Sequence, residues 1–214
     1  MKLNGRLVLG GLIAFFGLAL AGAIALGSMD RAQAREDRTT ASGQVKSMAE
    51  VRALIAGWPV ESRLAAAVLL EKHGVPDSAA PGALIWRDRG NWMRIAAYRF
   101  PQWSESGVVE HSVRYEVPVE SWELTDKVGL GVSYEPIGQV LSASSGSEAS
   151  NILALNVAVD VFQGRKSVAE GREFYARIAD LASSGKSSPY TAGLKFKPEP
   201  LRRVRQPGQL WPMP

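Results

Sequence analysis

Cysteine is absent from this chain of 214 residues, and that removes disulfides, thiolate zinc sites, iron–sulfur clusters, thiol nucleophiles and a cysteine-linked lipid anchor. Such a chain tolerates an oxidising compartment without needing one. Histidine is scarce, with only His73 and His111. A charge bias is also missing. The formal net charge of +4 includes three basic and one acidic side chain in the first 34 residues, so the remainder carries +2. A nucleic-acid binder needs a dominant basic face, so nucleic acid is not an expected partner. No G-x-S-x-G, H-E-x-x-H or calcium-loop pattern occurs, and no internal repeat stands out. Ser183 to Ser188 reads SSGKSS, but Asp180 stands where a phosphate loop needs its first glycine, and a helical pattern precedes it where a strand is required. The Ser183/Lys186 pair matches Ser-x-x-Lys only in a fraying helix end. Enzymatic function is disfavoured on these grounds.

Among the features present, the N-terminus is the plainest. Lys2 and Arg6 precede an uncharged run from Leu7 to Gly27. A cleaved signal has an apolar core of about 7–15 residues, whereas a spanning helix needs about 20. Cleavage after Ala34 is favoured by the small-x-small AQA motif, and an uncleaved anchor by the length of the run and by Asp30 and Arg31. Either outcome puts the rest of the chain outside the cytoplasm, facing the periplasm from the bacterial inner membrane or soluble after cleavage. The organisation expected is therefore a signal or anchor over 1–34, a tether over 35–46, one domain over 47–197, and a Pro/Arg-rich extended tail over 198–214.

Inside the domain three Ser-x-x-Glu capping boxes, Ser47/Glu50, Ser145/Glu148 and Ser167/Glu170, predict helix starts. Pro59 opens a further helix that stops at Gly74. Ile152, Leu155, Val159 and Phe162 form the expected buried stripe of one late helix; Gly171, Phe174, Tyr175, Ile178, Leu181 and Ala182 form that of the next. Between the helix pairs the period changes to two. GALIWR and NWMRIAAYRF flank a turn at DRGN, Val109 to Val119 alternates, and a last strand is expected from Gly131 to Val140 after a short helical segment at SWELTDK. The fold class is α+β: a helix pair, an antiparallel sheet of three or four strands, then a helix hairpin packed on the sheet.

Candidate chemistry is sparse. His73 lies in the last turn before Gly74 and reads as a helix stop, because a metal centre needs three or four convergent ligands and one other histidine is too few. No metal and no cofactor are expected. His111 sits on the apolar face of its strand, most simply as a satisfied core residue. As a general base it would need a carboxylate from the facing helices, and Asp160 and Glu173 are the candidates. Trp86, Trp92 and Trp103 would form a ligand-binding row if exposed, or core packing if not. Arg202, Arg203 and Arg205 with Trp211 would touch anionic lipid or cell wall only if the tail did more than remain in solution.

Two resemblances complete the reading. WPVESRLAAAVLLEKHGVPD, LIWRDRGNWMRIAAYR, NILALNVAVDVFQGRKSVAEGREFYARIA and SPYTAGLKF resemble an uncharacterised family of bacterial envelope proteins over about residues 45–197. That resemblance implies location and domain limits, and no activity. The helix, HGVPD and Trp-bearing strand pair is similar to the helix-GxP-strand unit of the SmpA/OmlA outer-membrane assembly lipoproteins and of β-lactamase-inhibitor-like modules, although this chain lacks their lipidated cysteine and adds two helices after the sheet. The expectation is a non-catalytic binding or assembly module, tethered through residues 7–27 or released, that engages an envelope protein or the cell wall. The alternative is an envelope hydrolase built on His111.

Overall fold

A computed structural model describes residues 47–102 and 107–199. The apolar run from Leu7 to Gly27, the site after Ala34, the tether, Trp103 and the arginines of the tail lie outside these residues. Among the described residues no helix is long and apolar enough to cross a membrane.

Helix α1 (Met48–Ile55) opens on the Ser47/Glu50 capping box, with both reciprocal hydrogen bonds present. Pro59 occupies the N-cap position of α2 (Val60–His73), which ends on Gly74 at φ 73 and ψ −154. This is an extended positive-φ conformation outside the αL region, and glycine alone adopts it without strain. Gly74 O accepts the indole N–H of Trp86 at 2.9 Å, tying the helix end to the sheet.

Six strands form one antiparallel sheet in the order β1-β2-β3-β4-β6-β5, against three or four expected. They are β1 (Ser78–Ala80), β2 (Ala83–Arg89), β3 (Trp92–Tyr98), β4 (Val109–Arg114), β5 (Val132–Glu135) and β6 (Val140–Ser145). The β2–β3 hairpin forms where DRGN predicts it. Three residues leave β1 too short to show a period. The expected strand from Gly131 to Val140 is in fact β5, a turn and the start of β6. The Glu135 carboxylate closes that turn by accepting from the N–H groups of Ile137 and Gly138 at 2.8 and 2.6 Å. β6 is serine-rich, with Leu141 and Ala143 buried in the core and Ser142 and Ser144 on the opposite face. β4 stops at Arg114, short of the expected Val119. A 3-10 turn (Val119–Ser121) then leads into α3 (Trp122–Val128), the helical segment expected at SWELTDK.

Helix α4 (Glu148–Phe162) is capped by Ser147, whose hydroxyl accepts from the N–H of Ser150, and not by Ser145, which belongs to β6. Every residue from Asn151 to Phe162 is buried. The single stripe expected is therefore one face of a helix enclosed all round. The sheet meets one side of α4 through Ile152, Leu155 and Val159, in the same core as Leu69 and Leu70 of α2 and Leu84, Trp86, Ile95 and Leu141 of the sheet. Leu153 and Val157 meet Ile178 of α5 (Val168–Ser183) on another. Gly171 of α5 makes the helices' close approach, since an added Cβ would stand 2.9 Å from Val161 Cγ2. The short α6 (Pro189–Ala192) and the chain after it are held by buried Asn156. Its Nδ2 donates to the carbonyls of Tyr190 and Gly193 at 3.0 and 2.9 Å, and its Oδ1 accepts from Lys195 N–H at 2.7 Å.

Candidate functional site

The fold brings both histidines together. His73 arrives from the last turn of α2, His111 from the middle of β4, and Glu148 from the first turn of α4. One ligand-capable atom from each lies within 4.8 Å of the other two. Helix stop is therefore an incomplete description of His73: its Nε2 lies 3.9 Å from Glu148 Oε2.

Each member is held by its surroundings. Glu148 stands at a helix N-terminus, where the backbone dipole favours a carboxylate. Its Oε1 accepts from Trp92 Nε1–H at 3.1 Å and its Oε2 from Lys72 Nζ at 2.7 Å. Burial pushes its carboxyl up, but the Lys72 and Trp92 hydrogen bonds and the neighbouring positive charge outweigh this and hold it below the ordinary 4.5. His111 is wholly buried, and burial pushes its pKa down from 6.5 to about 4, against the opposing pull of Glu148. Its ring lies 4.6 Å, centroid to centroid, from the Trp92 ring. Burial lowers His73 in the same way, with Glu148 again opposing.

Asn151, also buried, places Nδ2 2.9 Å from the Val109 carbonyl and 3.0 Å from His111 Nδ1. With the amide donating to both, Nδ1 is the acceptor and Nε2 carries the ring proton. The Nε2 atoms of His73 and His111 and the Oδ1 of Asn151 are buried without a hydrogen-bond partner. Each such atom costs about 1–3 kcal/mol of lost solvation.

A cleft of about 490 Å³ opens over this cluster, lined among others by Lys72, His73, Arg89, Trp92, Glu148 and Gly193. His111 does not line it and lies beneath Trp92 and Glu148.

The carboxylates expected to serve His111 are elsewhere. Asp160 is buried at the far end of α4, where Oδ1 accepts from Arg165 Nε and Nη2 at 2.9 and 2.7 Å and Oδ2 from Lys166 Nζ and the Tyr190 hydroxyl, both at 2.8 Å. Glu173 is exposed on α5. The carboxylate that does stand near His111 is Glu148, hidden in sequence because its capping-box position already explains it. Trp86 and Trp92 are 0% and 7% exposed and form core rather than a binding row. Of these two, Trp92 lines the cleft and Trp86 does not.

A second concavity, about 660 Å³, lies between α1 and α2 and is lined by Ile55, Leu64, Ala67 and Val68, with Arg52 and Arg63 beside them. Val60, Leu64 and Val68 recur every four residues on α2 and are 62%, 61% and 63% exposed. The opposite side of α2 buries Ala66, Leu69 and Leu70, so the helix is apolar on two sides. The sequence carries the signal as an apolar excess beyond one stripe in VESRLAAAVLLEKH.

No family model, curated protein or solved structure matches the chain.

Proposed function

We propose that this protein is a non-catalytic, extracytoplasmic binding module, tethered to the bacterial inner membrane through residues 7–27 or released by cleavage after Ala34, and that it docks an envelope partner in the groove between α1 and α2. One observation carries the reading: a row of three large apolar side chains left open to solvent on a helix whose other side builds the core. Isolated exposed apolar residues need no explanation, but a row beside a concavity is the form that receives an amphipathic helix. The occupant that fits is a helix of another envelope protein with apolar residues at i, i+3 or i+4 and acidic residues placed to meet Arg52 and Arg63. The uncharged run from Leu7 to Gly27 behind Lys2 and Arg6 supports the location.

The hydrolase alternative rests on His111 as a general base. Its ring is sealed from the cleft and pushed far below neutral pH in basicity, which weighs against that role.

The test places a photo-crosslinking amino acid at Leu64 or Val68 of the full chain in native membranes. The expected result is one predominant protein adduct that maps to an amphipathic segment with acidic flanks, weakens with salt and disappears with Val60→Glu. Adducts to lipid alone, or a scatter of proteins unaffected by Val60→Glu, would overturn the docking reading.

A further inference from the structure

We infer that His73, His111 and Glu148 bind a divalent transition-metal ion of the zinc type, with an open coordination position facing the cleft above them. This site is separate from the groove on α2 and stands or falls without it.

Convergence is the first support. Three donors from three different elements place one ligand atom each within 4.8 Å of the others. Bonds of about 2.0–2.2 Å around a tetrahedral ion put its ligands about 3.3 Å apart, so side-chain movements of about 1 Å complete the set. Donor chemistry is the second. Two imidazoles and one carboxylate suit a borderline ion such as zinc and recur where one position is left for solvent or ligand. The third support is the pair of orphaned Nε2 atoms, one on a wholly buried ring and the other 3.9 Å from Glu148 Oε2. An ion bonded to both would remove two uncompensated polar atoms at once.

The surroundings already contain what such a site needs around its ligands. Trp92 fixes the free end of the Glu148 carboxylate, the kind of outer contact that orients ligands in metal centres. Asn151 sets the tautomer of His111. In the resting arrangement its amide donates to Nδ1 and leaves the proton on Nε2. Turned over, the amide would present Oδ1, now without a partner, to an Nδ1–H and free the Nε2 lone pair. The ring keeps one proton throughout, moved from Nε2 to Nδ1, while the amide gives up its hydrogen bond to Val109 and sets Oδ1 against that carbonyl, a cost that the metal–imidazole bonds have to offset. A bound ion selects this second arrangement. Lys72 is the competitor: its ammonium lies on Glu148 Oε2 in the resting state. With 56% of its side chain exposed, it can withdraw into solvent when the ion enters.

The experiment uses the full chain in detergent, stripped with a chelator and titrated with Zn²⁺ against a chromophoric competitor. Co²⁺ serves as an optical probe of the ligand set, and ¹⁵N-labelled histidine reports the tautomers of the only two rings present. The expected result is one equivalent bound below micromolar concentration and transfer of the His111 proton from Nε2 to Nδ1. His73→Gln and Glu148→Gln should each weaken binding by about 100-fold or more, and Lys72→Met should strengthen it by about tenfold through loss of a like charge. Circular dichroism checks that the variants are folded, and the wild-type stoichiometry and tautomer do not depend on them. No stoichiometric binding by about 10 µM, or equal binding by wild type, His73→Gln and Glu148→Gln, would overturn the inference.

Discussion

Asn156 shows how one side chain decides the course of a segment. Its amide satisfies two carbonyls and one N–H of the chain between Tyr190 and Lys195, backbone groups that no helix or strand pairs. Replacing it with alanine leaves three polar groups to find water and opens a gap in a packed helix face. Asn156→Ala should cost about 2–4 kcal/mol, visible as a lower urea midpoint and faster proteolysis near Gly193. Unchanged stability would mean that the segment is held by Phe196 packing on Tyr115 instead. His111 is the contrasting residue. Alternation put it correctly on the core face, but no pattern in the chain could show that His73, 38 positions earlier, would meet it there.

At the level of elements, α4 is the strut against which the sheet, α5 and α6 are set, and its two ends carry the charged groups. The Asp160 end joins α4 to the loop before α5 and to Tyr190. Burial raises the Asp160 carboxyl, but hydrogen bonds from Lys166, Arg165 and Tyr190 prevail and leave it below the ordinary 3.8. The unfolded chain therefore binds the proton first as pH falls. The stabilisation is complete above the unfolded pKa and is lost as pH drops from about 4 through the folded value. Asp160→Asn should cost about 2–3 kcal/mol at neutral pH and flatten the acid limb of a stability-versus-pH curve measured by denaturant unfolding. An unchanged acid limb would refute this assignment. Between the two ends, Gly171 lets α5 approach α4. Gly171→Val should lower stability by about 2 kcal/mol through overpacking against Val157 and Val161, although glycine is a poor helix former. A rise in thermal midpoint would show that the interface yields.

For the whole molecule, composition and period were informative wherever a property is local. Capping boxes at Ser47 and Ser167, the stop at Gly74 and the hairpin at DRGN are all present, because each rests on hydrogen bonds within a few residues. The box at Ser145 failed for a tertiary reason: β6 claims that serine for its pairing with β4, and the cap passes to Ser147. Likewise the fifth and sixth strands were legible only as one, since a serine-rich strand shows little apolar alternation, and pairing with β4 is what makes it a strand. The α+β class, the absence of thiol chemistry and the apolar N-terminal run were thus determined by the sequence alone. Tertiary structure alone decided that α4 is buried on all sides, that the Asp160 carboxylate serves as a structural clamp, and that two distant histidines share a centre with Glu148. The physical reason is the same in each case: local hydrogen bonds and hydrophobic period act over a few residues, whereas a shared site depends on which faces a packed sheet and helix bring within bonding distance.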